Sequence, residues 1–195
     1  SSTAGTYTVT YTIPASAGCA SVPVTTSVTI TAAPTASISY AGTPFCTTVA
    51  TAQAVTLTGT GAYTGGTYTV APAGLTINAA TGAITPSSST AGTYTVTYTI
   101  PASAGCASVP VTTSVTINAQ PNAGTNGNVT ICDSSVAPIN LYNLITGEQS
   151  GGVWVRTSGT GGTFNAATGI FTPASGAITS TFTYTITAAA PCIDS

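Results

Sequence analysis

The chain of 195 residues carries five cysteines, Cys19, Cys46, Cys106, Cys132 and Cys192, and no histidine. Thiols with neither imidazole nor a CxxC pair beside them make a poor zinc site, so the chemistry they offer is oxidation to disulfides. Cys46 and Cys106 stand 60 residues apart, and so do Cys132 and Cys192. The simplest pairing is Cys46–Cys106 and Cys132–Cys192. Cys19 then occupies the place of Cys106, unpaired in this segment, with its partner expected upstream of residue 1. A rival pairing, Cys19–Cys46 and Cys106–Cys132, would join points that end-to-end units hold farther apart than the roughly 7 Å a disulfide spans between Cα atoms. Closing a loop of the first kind stabilises by roughly 4 kcal/mol through chain entropy. Disulfides imply an oxidising compartment, hence export.

Little else in the chain could do chemistry. Its charged side chains are Arg156, Asp133, Glu148 and Asp194, 2% of residues, against roughly 25% in ordinary soluble proteins. A serine nucleophile needs a base, and neither His nor Lys is present to serve. Asp133 and Glu148 are the one conceivable acid–base pair, and both are expected on exposed loops. The glycines of residues 59–66 and 159–162 do not follow GxGxxG and read as turn residues. The chain is therefore not expected to be an enzyme: no catalytic, cofactor-binding or metal-ligating residue is assigned.

Partners narrow in the same way. Phosphate backbones and anionic lipids are held by Lys and Arg, and calcium by clustered carboxylates. No run of about 18 apolar residues suggests a spanning helix, so neither nucleic acid nor membrane insertion is expected. Trp154 and Arg156 remain possible ligand contacts, for instance with a surface glycan. The plainer reading puts Trp154 and its counterpart Tyr68 in the core, on a third strand and against the disulfide. Asn78 and Asn165 read as side chains that bond the backbone of their own turns.

The elements that must position these residues are strands. Residues 93–100, TYTVTYTI, alternate without a fault, with Tyr94, Val96, Tyr98 and Ile100 on one face and threonines on the other. β-Branched and aromatic residues suit such a half-buried strand. The same eight residues stand at 6–13, and a looser version, TFTYTITA, at 181–188. Residues 1–30 and 88–117 are identical, an offset of 87. Asn-Ala-Ala-Thr-Gly at residues 78–82 recurs at 165–169. A period near 87 is too long for a solenoid turn and has the size of a small sandwich domain.

One unit reads from residue 34 to 120, with strands at 36–40, 55–60, 67–70, 75–78, 83–85, 93–100 and 107–117. About seven short strands between turns suggest an all-β, immunoglobulin-like sandwich. By that reading residues 1–33 hold the last two strands of another unit, and residues 121–195 form a unit lacking its final strand. A segment of a long tandem array would explain both ends; strand exchange between chains is the alternative.

Residues 74–86 (GLTINAATGAITP) followed by Ala91-Gly-Thr-Tyr-Thr-Val-Thr-Tyr-Thr99 resemble the immunoglobulin-like or cadherin-like repeats of bacterial surface proteins. Residues 40–46 (YAGTPFC) and Ala104-Gly-Cys106 resemble more specifically the tandem repeats of very large secreted Bacteroidetes proteins. That group includes the gliding-motility adhesins exported by type IX secretion. The resemblance spans nearly the whole chain and carries over no catalytic residue. It implies an extracellular, cell-surface fibre, stalk or adhesin filament. Its expected partners are neighbouring units of the same chain, identical chains in a filament, or surface glycans gripped by the third unit.

Overall fold

The computed structural model describes every residue except Ser1, Asp133, Val136 and Ala177. The described chain is all-β, arranged in several sheets with no α-helix; its helical turns are the short 3-10 segments Pro86–Ser88 and Leu141–Asn143. Among the described residues no helix is long and apolar enough to cross a membrane.

The first element is a hairpin of β1 (Gly5–Ile13) and β2 (Val22–Ile30), antiparallel and in register from Gly5↔Ile30 to Ile13↔Val22. It forms a sheet of its own. Its alternation puts Tyr7, Val9, Tyr11 and Ile13 on the same face as Val22, Val24 and Val28, and all seven are exposed, Tyr11 by 69%.

Residues 34–120 build a core from two sheets. In the first, β3 (Thr35–Ser39) pairs with β5 (Thr56–Thr60). In the second the order is β4 (Phe45–Cys46), β8 (Val109–Asn118), β7 (Gly92–Ile100) and β6 (Thr67–Ala71). Here β4 runs parallel to β8 through Phe45↔Ile117 and Cys46↔Asn118. The alternating strands turn Tyr94, Val96, Tyr98 and Ile100 inward with Val115 and Ile117, onto Ile38, Tyr68, Leu75 and Ile84. The expected strands at 75–78 and 83–85 are reduced to single bridges, Ile77↔Ile84 and Gln53↔Ile84. The Asn78 carboxamide explains the tight turn between them: its oxygen accepts from the N–H groups of Ala80 and Thr81.

Residues 121–195 hold a second core. β9 (Ile139–Asn140), β11 (Thr163–Asn165) and β12 (Ile170–Thr172) form one sheet; β10 (Val153–Ser158) and β13 (Thr181–Thr185) form another. Leu141, Trp154, Phe171 and Tyr184 are its buried centre. Asn165 repeats the turn of Asn78, accepting from Ala167 and Thr168.

The structure pairs the cysteines differently from the expectation. Neither Cys46–Cys106 nor Cys132–Cys192 forms. Cys46 is joined to Cys192, with Cα atoms 5.1 Å apart and a sequence separation of 146, and Cys19, Cys106 and Cys132 are free. Strand length is the reason. Cys46 lies beside Asn118 at the end of β8, whereas Cys106 caps the β7–β8 turn before β8 begins. At about 3.3 Å per residue those places are roughly 30 Å apart.

Candidate functional site

Two features of the described residues stand out: the covalent junction between the two cores, and an open groove in the second. The junction forms where β8 runs out. Asn118 donates from its side-chain nitrogen to the Ala190 carbonyl at 2.6 Å, and Gln120 does the same to Ile193 at 2.8 Å. Cys192 Sγ sits 3.4 Å from the Asn118 carbonyl oxygen, which places it against Cys46 on β4. Strand end, amide side chains and disulfide converge on a few residues, so the junction holds in covalent and hydrogen-bonded form at once. A disulfide belongs to an oxidising environment.

The groove follows from a comparison of the two cores strand by strand. The tyrosine latch identifies equivalent positions. Tyr98 accepts from the Gly66 N–H and donates to the Tyr63 carbonyl, both at 2.9 Å. Tyr184 accepts from Gly152 at 2.9 Å and donates to Gln149 at 2.8 Å. Each ring lies over a glycine that has no room for a side chain: a Cβ would come within 2.7 Å of the Tyr98 ring at Gly66 and of the Thr185 carbonyl oxygen at Gly152. By this match β13 is the counterpart of β7, β10 of β6, and Ile131-Cys132 of Phe45-Cys46.

In the first core β8 lies between β4 and β7. In the second, β13 pairs with β10 alone among the described residues. A cavity of about 710 Å³ opens there. Val129, Ile131, Leu141, Phe171, Phe182 and Tyr184 contribute to its apolar lining. The walls carry no charge.

Of the residues set aside as possible ligand contacts, Trp154 is mostly packed away but lines the groove, and Arg156 is used internally. Trp154 is 4% exposed, with Tyr142 edge-on to it at 5.6 Å and Tyr184 at 5.1 Å. It is a core aromatic on the predicted strand, but the disulfide lies at the junction and not against it. Its buried indole N–H has no hydrogen-bond partner. Arg156 is spent internally: Nη2 donates to the Gly161 carbonyl at 2.8 Å and to Ser180 Oγ at 2.6 Å, and the guanidinium lies 5.3 Å from the Phe171 ring centroid. These bonds pin the start of β13 to β10. Asp133, half of the conceivable carboxylate pair, lies outside the described residues; Glu148 is half-buried, and Asp194 caps the Ala188 N–H.

Burial shifts two phenols of the first core. Tyr40, 6% exposed and donating to the Gly82 carbonyl at 2.5 Å, is pushed up to about 12 by desolvation and then by the nearby Tyr68. Tyr68 is raised for the same reason, with Tyr98 as the second cause. Tyr40 is a structural donor at neutral pH.

Sequence reasoning did not pick out the groove residues Ile131, Phe182 and Leu141. The available signal was the repeat itself, which matches Ile131-Cys132 to Phe45-Cys46 and residues 181–188 to 93–100. No known family, curated protein or solved structure matches the chain.

Proposed function

We propose that this chain is a structural segment of a long extracellular fibre or stalk, built of immunoglobulin-like units of about 87 residues and resembling the surface repeats of secreted Bacteroidetes proteins. Residues 34–120 are the complete unit, residues 1–33 the closing hairpin of another, and residues 121–195 a unit without its last strand. The observation that carries the reading is the Cys46–Cys192 bond. It ties one core to the next at the place where the chain passes between them, as a spacer must if its units are not to swing freely. The scarcity of charge fits the same role, because cohesion that does not rest on ion pairs changes little with salt.

The test is electron microscopy of chains concatenated in one gene. A thin fibre is expected, lengthening by a constant increment with each added 87-residue unit. Clumps whose size bears no relation to the number of units would end the proposal.

A further inference from the structure

We propose that this chain is built to persist among endoproteases that cleave after lysine or arginine, through two devices in series. The fold conceals the one bond such an enzyme could cut, and the Cys46–Cys192 disulfide keeps the molecule in one piece once that bond is cut. Composition sets the first limit. The chain holds no lysine and a single arginine, so its 195 residues offer one site, the Arg156–Thr157 bond. An enzyme of this class draws the basic side chain into an anionic pocket while the backbone on either side lies in its cleft.

The folded chain withholds both. The backbone of Arg156 lies within β10, where it pairs with Phe182 of β13. Its guanidinium is held from several directions. Besides the bonds from Nη2 to the Gly161 carbonyl and Ser180 Oγ, Nε donates to the Ser158 carbonyl at 3.4 Å. The ring centroids of Phe171 and Phe182 lie 5.3 and 5.8 Å from it, within the range at which an aromatic face attracts a cation. Backbone and side chain are thus tied into the β10–β13 pair, and neither can enter a cleft until those strands part. Cleavage then waits on local opening, and its rate is scaled down by the open fraction.

Where opening occurs, topology takes over. Hydrolysis consumes a water molecule and leaves a carboxylate on Arg156 and an amine on Thr157, dividing the chain into residues 1–156 and 157–195. Residue 156 lies between Cys46 and Cys192 in sequence, so the sulfur–sulfur bond still joins the two pieces. The hydrogen bonds from Asn118 to Ala190 and from Gln120 to Ile193 cross the same division. A cut therefore opens a loop and sheds nothing.

The test is trypsin digestion of the full chain, its free thiols alkylated beforehand so that no disulfide exchange follows. The folded chain should be nicked roughly 100-fold or more slowly than the urea-unfolded chain. The nicked product should run as one band without reductant and as two with it, and a non-reducing peptide map should find Cys46 linked to Cys192. Ser180→Ala removes one acceptor of the guanidinium and should speed nicking of the folded chain about 5-fold, with circular dichroism matching the parent chain. A folded chain cut as fast as the unfolded one, nicking that S180A leaves unchanged, pieces that part without reductant, or a linkage between other cysteines would each overturn the proposal. The digestion is read on single chains and says nothing of whether concatenated units form a fibre, so the two proposals fail separately.

Discussion

β1–β2 and β7–β8 are the same peptide folded into the same hairpin in two surroundings. The registers agree pair for pair, from Gly5↔Ile30 and Gly92↔Ile117 to Ile13↔Val22 and Ile100↔Val109. So do the local side-chain bonds: Thr6 with Thr29 and Thr93 with Thr116 are both 3.2 Å apart, and Tyr7 and Tyr94 each donate to the carbonyl four residues back. What differs is the cover. Val9 is 53% exposed and its copy Val96 is 0%; Tyr11 is 69% exposed and Tyr98 is 2%. Alternation and turn suffice to specify a hairpin, while its stability must come from what packs on it, since a two-stranded sheet alone is marginal in water.

The sharpest way to break this comparison is to put one charge at matched positions. Val96→Asp should cost on the order of 5 kcal/mol, because the carboxylate would be buried without a partner. Val9→Asp should change stability by less than about 0.5 kcal/mol. Urea denaturation followed by tyrosine fluorescence measures both, and equal costs would mean that β1–β2 is covered in solution.

Cutting the covalent tie comes next. Cys192→Ser should lower the stability of the second core by about 2–4 kcal/mol, read as an earlier thermal transition. The amide exchange of β1–β2, which touches neither sulfur, should stay as it was.

A smaller effect comes from the latch. Tyr98→Phe leaves the Gly66 N–H without its acceptor and should cost about 1–3 kcal/mol. Tyr11→Phe should be silent, because Tyr11 is mostly in water. Chemical denaturation of the two variants side by side decides it.

The mildest probe is alkali. Tyr40 has a folded-state pKa raised to about 12 from 10.0. Its contribution is fully present below pH 10. Above pH 10 the unfolded chain sheds the phenolic proton while the folded one keeps it, so stability falls as pH rises toward 12. The slope is at most about 1.4 kcal/mol per pH unit from this one group. Denaturation of thiol-alkylated protein at pH 8 and pH 11 tests the sign. Amides of β1–β2, a sheet separate from the core that buries Tyr40, should show only the ordinary base catalysis of exchange.

Much of this architecture was legible in the residues. Strict alternation over residues 93–100 fixes strand and inward face together, and the Asn-Ala-Ala-Thr-Gly repeats place two identical turns. Phe45-Cys46 escaped because two residues carry no period; only their parallel bridge to β8 makes them a strand. The cysteine pairing escaped for a subtler reason. Equal spacing in a repeat says which cysteines are equivalent, so a first-type cysteine meets a second-type one in either register. It cannot say whether the partner belongs to the same copy or the next. The length of β8 decides that, by carrying Cys106 to the end of the sheet away from Cys46. Trp154 was legible as a core aromatic from its place on an alternating strand, whereas the groove it lines is assembled from residues far apart in sequence and leaves no local period.

The long span of the Cys46–Cys192 bond has a further consequence. A force applied to the two termini would enter through residues 1–46, cross from sulfur to sulfur, and leave through the last few residues. All strands from β5 to β13 lie inside the closed loop and outside the load path. Tension could lengthen the leading arm, but both cores' remaining strands would hang from the loaded line as an unstressed loop, and the chain would reach its full extension long before most of its sequence had been pulled straight.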